Sequence, residues 1–238
     1  HPESTLFPHP TPVRFEAGRN PCVADAPAME EAARGRAGMI SALRMALERE
    51  ELSLVYQPKL ELDENRITGM EALLRWNSAE LGAIPPSVFI PLAEEAGLIV
   101  KIGEFVLYRA CAQLREWQDR GLQGITMSVN LSALQLLRDE LTQRLCEILA
   151  EHKLVPQQLE LELTESVLMA NAELAIHTLD RLHALGIAIS IDDFGTGYSS
   201  LSYLKRLPID ALKIDRSFVG DITTDPDDEA ITKTIITM

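Results

Sequence analysis

The stretch Leu159-Glu160-Leu161-Glu162-Leu163 decides how the chain is read. Side chains of a strand alternate between the faces of a sheet, so the three leucines share one face and the two glutamates the other. Four further segments show the same pattern. In Ile67 to Leu74, Glu71 shares parity with Gly69, and Met70, Ala72 and Leu74 point the other way. In Ile125 to Leu131, Asn130 and Ser128 oppose Met127, Val129 and Leu131. In Ile187 to Asp193, Asp192, Ser190 and Ala188 oppose three isoleucines. In Ala211 to Asp215, Lys213 lies with Ala211 and Asp215 against Leu212 and Ile214. Each segment therefore carries, near its carboxyl end, a residue suited to a metal or a phosphate: Glu71, Asn130, Glu162, the pair Asp192-Asp193, and Lys213. The apolar faces suit covering helices, and the small polar faces must converge.

Helical stretches lie between these strands. Ser87 to Glu95 and Val100 to Arg120 precede the Asn130 strand, with Gly97 and Gly121 as stop signals. Ser132 to His152 precedes the Glu162 strand, and Pro156 bars that helix from continuing. Asn171 to Leu185 precedes the Asp192 strand, with Asn171 at the N-cap and Gly186 at C′. This alternation predicts a mostly parallel sheet with helices outside. In a closed barrel of this kind the reactive groups sit at the carboxyl ends of the strands. The expectation is an α/β barrel with one polar mouth.

Carboxylates and an amide carbonyl are hard oxygen ligands, which favour magnesium, manganese or calcium over zinc. The adjacent Asp192 and Asp193 stay ionised together cheaply only with a cation beside them. Two metals sharing a carboxylate suit in-line hydrolysis of a phosphodiester, with Lys213 neutralising charge on the attacked phosphate. Taken singly, these residues have plainer readings. Glu71 and Asn130 read as rim or capping residues, and Glu160 beside Glu162 as exposed alternation on an edge strand. Asp192-Asp193-Phe194-Gly195 reads as a turn, and Lys213 as a surface lysine. Their joint occurrence at the same end of consecutive strands favours the metal site.

The motifs Tyr56-Gln57-Pro58-Lys59, Glu71-Ala72-Leu73-Leu74-Arg75-Trp76, Ser128-Val129-Asn130-Leu131-Ser132, Glu162-Leu163-Thr164-Glu165-Ser166, Asp192-Asp193-Phe194-Gly195-Thr196-Gly197-Tyr198-Ser199-Ser200-Leu201 and Leu212-Lys213-Ile214-Asp215 together resemble the EAL-domain family, from about Ile40 to the C-terminus. The resemblance implies a bacterial cyclic di-GMP phosphodiesterase on a modified TIM barrel, yielding the linear dinucleotide pGpG by a two-metal mechanism with Mg2+ or Mn2+. It implies that Glu71, Asn130, Glu162 and Asp192 bind the first metal and that Asp192 and Asp193 help bind the second. It implies that Lys213 meets the catalytic water or phosphate, that Gln57 and Arg75 touch the ligand, and that Glu165 braces the Asp193-to-Ser200 loop. By the same resemblance, a homodimer forms through the Asp193-to-Tyr203 region, and the first strand, Leu52 to Leu62, turns at Asp63-Glu64-Asn65 to run antiparallel to the next.

The family pattern continues past the lysine with a strand bearing a further glutamate and a last strand bearing a Gln-Gly pair, whereas this sequence ends at Met238 in a helix that starts near Asp227. The expectation is an incomplete EAL domain over residues 38–238, two strands short of a full barrel. It brings two alternatives, a cyclic di-GMP receptor that does not cleave its ligand and an interaction module working through Phe194 to Tyr203. Residues 1–37 open on His1 and carry Pro2, Pro8, Pro10, Pro12, Pro21 and Pro27, which suits a linker or the end of an upstream GGDEF or sensory domain.

Composition narrows the remaining classes. With 238 residues, 46% hydrophobic and 24% charged, the chain is long enough for a sizeable single core. The net charge of −14 opposes binding to DNA, RNA or anionic membranes, so a small anionic ligand needs local cations. Cys22, Cys111 and Cys146 show no paired spacing and read as reduced thiols. A cytoplasmic protein, or the cytoplasmic part of a longer membrane-tethered one, fits this set.

Overall fold

A computed structural model of the chain describes residues 26–170, 172–195 and 204–237. The chain divides into two units, His1–Gly38 and Met39–Met238, and the sheet belongs wholly to the second. Helix α1 (Ala26–Ala46) leads into a hairpin of β1 (Leu52–Glu61) and β2 (Arg66–Ser78). The two strands are antiparallel, with Gln57 opposite Glu71 and Lys59 opposite Gly69. Asn65 closes the predicted turn at φ 49°, a left-handed conformation that asparagine tolerates. The ladder slips between Lys59 and Leu60, beside Pro58, which has no N–H to give it.

The remaining elements alternate as the sequence predicts. They are β3 (Gly82–Ile84), α2 (Pro86–Glu95), α3 (Ile99–Asp119), β4 (Thr126–Asn130), α4 (Ala133–Leu136), α5 (Leu141–Glu151), β5 (Leu159–Thr164), α6 (Glu165–Ala170), α7 (Ala172–Ala184), β6 (Ala188–Phe194), β7 (Ala211–Ile214), α8 (Arg216–Gly220) and α9 (Pro226–Ile236). Sheet order is β1-β2-β4-β5-β6-β7, with β3 added antiparallel to the end of β2. From β2 onward the neighbours on this path are parallel. The result is a TIM-barrel-like α/β fold whose first strand is antiparallel. No described helix is long and apolar enough to cross a membrane.

The core lies between the sheet and its helices. Met127, Val129, Leu159, Leu161, Leu163, Ile189 and Ile191 are all buried on the face opposite the polar residues. Helix α3 answers with Ile102, Val106, Leu107, Ala110, Cys111 and Leu114, recurring at three- and four-residue steps on one buried stripe. Trp76, buried near the end of β2, meets Phe89 of α2 edge-on at 5.7 Å, and its Nε1 donates to Glu51 Oε2 at 3.0 Å.

One boundary departs from the sequence reading. The helix predicted over Ser132 to His152 is two helices, α4 and α5. Leu136 and Leu141 are both buried, and five residues along one helix would put them roughly 140° apart. The break lets both side chains enter the same core, and Ser132 and Gln135 lock the start of α4 in a capping box. The N-cap assigned to Asn171 lies outside the described residues.

Candidate metal centre

Strand register brings the polar residues to one end of the sheet. Glu71 is level with Ser128, Asn130 with Glu162, Glu162 with Ser190, and Asp192 with Thr164. The site residues thus step forward by two between β2 and β4 and again between β5 and β6. Tilted strands need such a stagger to hold side chains at a common height.

Glu71, Glu162 and Asp192 each offer one carboxylate oxygen, and these oxygens lie within 4.8 Å of one another. Lys213 Nζ donates to Glu162 Oε2 at 2.6 Å, to Asp192 Oδ2 at 2.9 Å and to Glu71 Oε2 at 3.3 Å. Asn130 Nδ2 donates to Glu71 Oε1 at 2.9 Å. An ammonium therefore stands where the carboxylates converge, as a cation among hard oxygen donors. That donor set fits a magnesium- or manganese-type ion, and a half-turn of the Asn130 amide would present its oxygen as well. Burial works against the charge on Lys213, but Asp192, Glu162 and Glu71 outweigh it and hold the ammonium well above its ordinary value.

A second polar layer lies beneath. The Glu162 side chain has no exposed surface, and its Oε1 accepts from Lys59 Nζ at 2.8 Å. The same nitrogen reaches Glu160 Oε2 at 2.8 Å, which also accepts from Ser128 Oγ at 2.9 Å. Burial works to raise the Glu160 carboxyl, yet Lys59 and Ser128 leave it below the usual range. Glu160 is thus a partly buried partner of Lys59, and not exposed alternation on an edge strand.

The other residues named from sequence are distributed around this cluster. Asp193 is exposed, with φ 53°, and stands outside the converging trio. Partial desolvation and the charges of Asp192 and Asp215 push its carboxyl up. Gln57 faces Glu71 across the hairpin. Arg75 Nη1 donates to Leu74 O at 2.9 Å and lines a cavity of about 500 Å³ with Asn130, Glu162, Thr164, Glu94 and Gln135. That cavity adjoins the cluster through Asn130 and Glu162 and is otherwise walled mainly by apolar residues of β2, α2 and α3. Glu165 is buried, and its Oε2 accepts from the Gly195 amide at 3.4 Å. Residues 196–203, the rest of the expected dimer surface, lie outside the described residues. Lys59 and Ser128 appear in the motifs above without a role of their own. The available signal was parity, since Lys59 shares a face with Gln57 on β1.

The sequence profile of the EAL domain matches residues 40–238. The bifunctional diguanylate cyclase/cyclic di-GMP phosphodiesterase MucR of Pseudomonas aeruginosa is 46% identical over 223 residues, 94% of this chain and 33% of that protein. The cyclic di-GMP phosphodiesterase NbdA of the same organism is 45% identical over 82% of this chain and 25% of its own length. The chain thus spans a third or less of these curated relatives. Among solved structures, a PaMucR phosphodiesterase in complex with c-di-GMP superposes with a TM-score of 0.80 at 49% identity, covering 84% of this chain and 81% of that one.

Proposed function

Because the chain belongs to the EAL domain family, we propose that it is a cyclic di-GMP phosphodiesterase that opens one ring ester and releases linear pGpG. The convergence of Glu71, Glu162 and Asp192 around a single cationic position carries this reading. Glu71, Asn130, Glu162 and Asp192 would hold a first Mg2+ or Mn2+, and Asp192 with Asp193 a second. When bound, such ions supply an activated water and charge stabilisation at the leaving oxygen.

The chain's own groups supply the rest. Water oxygen bonds to phosphorus, the bond to the 3′-oxygen breaks, and that oxygen leaves as a hydroxyl while the phosphate stays on the 5′ side. Lys213 neutralises charge gathering on the phosphate oxygens, a role that needs a fixed donor in a partly desolvated site. Arg75 and Gln57 orient the dinucleotide, and the apolar walls beside Asn130 exclude bulk water from it. Glu165 steadies the start of the loop after β6 through Gly195. That loop would continue into a dimer surface.

The test is cyclic di-GMP turnover in Mg2+ or Mn2+, followed by chromatography, beside calorimetric binding of the nucleotide. The expected result is pGpG from the wild-type chain and none from Glu71→Ala. A second reading, a receptor that binds without cleaving, is favoured by the position of Asp193 outside the trio. Binding without pGpG would establish that one, and neither binding nor product would sink both.

A further inference from the structure

Glu162 is held from two sides. Its Oε2 meets Lys213 at 2.6 Å, on the side of Glu71 and Asp192, and its Oε1 meets Lys59 at 2.8 Å, on the side of Glu160. The carboxylate is fully buried, so neither oxygen turns to water. Lys59 lies opposite Gly69 on β2, where a Cβ would stand 2.7 Å from Thr126 Oγ1 and in ordinary contact, at 3.6 Å, with Lys59 Cδ. Glu160, fixed by Ser128, holds the other side of the same ammonium.

We propose that Lys59 is a positioning residue that makes Glu162 a one-oxygen ligand and thereby tunes the site toward Mg2+ or Mn2+ and against Ca2+. The inference rests on the metal-site reading above. Calcium takes about six to eight oxygens and readily accepts a carboxylate through both of them, whereas magnesium keeps to six at short, near-octahedral positions. A carboxylate with one oxygen held at 2.8 Å by a partly buried ammonium chelates only by giving up that contact. The site therefore enlarges its oxygen set at Glu162 only with that loss, which falls on the larger ion because it would gain most from the second oxygen.

The plain alternative is a structural ion network whose loss only destabilises the interior. The two separate in metal selectivity, measured by calorimetric titration of the full chain with MgCl2 and with CaCl2, with Glu71→Gln as the blank for surface binding. The informative variant is Lys59→Met/Glu160→Gln, which removes one charge of each sign and frees Glu162 Oε1. The expected result is a fall of about tenfold or more in Kd(Ca)/Kd(Mg), driven by tighter calcium binding, while Lys59→Arg holds that ratio within about threefold. An unchanged ratio in the double variant, with magnesium binding retained, overturns the role of Lys59 and leaves the metal site standing. No magnesium or calcium binding by the wild type above the blank overturns both. Should the double variant not fold, Glu160→Gln alone carries the test. Lys59 is then held by Glu162 only, so the ratio must hold or rise, and a fall overturns the proposal.

Discussion

Lys213 Nζ lies 2.6 Å from Glu162 Oε2 and at the same time reaches Asp192 and Glu71, so one ammonium holds together three carboxylates that would otherwise repel. A divalent ion at that position competes with the lysine for the same oxygens. Lys213→Met should therefore destabilise the metal-free protein and yet gain more thermal stability from added Mg2+ than the wild type does, because no ammonium has to be displaced. Its cyclic di-GMP turnover should fall about a hundredfold or more. Melting curves with and without MgCl2 check this, and equal magnesium-induced shifts in the two proteins would show that lysine and ion do not share the position.

Gly69 is tightly enclosed by β4 across the strand pair. A Cβ there would stand 2.7 Å from Thr126 Oγ1 and 3.1 Å from the Thr126 carbonyl oxygen. Gly69→Ala should lower stability by about 1–3 kcal/mol through overpacking. Thr126→Ala, which removes the closer atom, should recover part of that loss. Urea denaturation of the single and double variants measures it, and a neutral Gly69→Ala would show that the two strands separate freely.

Which parts of this arrangement were legible beforehand follows from how local each signal is. Parity within a strand is a property of neighbouring residues, so the shared face of Glu160 and Glu162, and of Ser128 and Asn130, could be read directly. The antiparallel entry of β1 was legible from the turn residues Asp63 to Asn65 once the family resemblance supplied the orientation. The partner of Lys59 was not, because Glu160 and Glu162 lie 101 and 103 residues away, and only the sheet order β1-β2-β4-β5 brings them within reach. The split between α4 and α5 was hidden for a similar reason. Leu137 to Glu140 are acceptable helix residues, and tertiary burial of Leu136 and Leu141 overrides their preference.

The Trp76 indole and the Ala79 amide, at 3.0 and 3.2 Å, hold the Glu51 carboxyl below its ordinary value of 4.5. The ionised form is favoured in the folded state, so this contribution is complete above that ordinary value and is lost as pH falls through the lower folded one. Glu51→Gln should therefore cost more stability at pH 7 than at pH 3. Denaturant titrations at the two pH values test this, and an equal cost at both would remove the charge from the explanation.

Cys111 is buried in α3, and desolvation pushes its thiol up to about 12, whereas Cys146 on α5 is exposed. The thiolate is the reactive form. Iodoacetamide at pH 8 should modify Cys146 in the folded protein and Cys111 only after unfolding, as peptide mass mapping would show. Modification of both at one rate would mean that α3 opens readily.

The register between β4 and β5 has a consequence for folding fidelity. Asn130 sits beside Glu162 only in the observed pairing. A slip of β5 by two residues would keep Leu159, Leu161 and Leu163 on the apolar side and leave the hydrophobic interior nearly satisfied, while moving Glu162 about 7 Å from its neighbours. Such a misregistered chain would be compact and soluble, and silent in any assay of the mouth. Preparations refolded from denaturant can therefore contain an inert fraction that light scattering and far-ultraviolet dichroism do not distinguish from the active one.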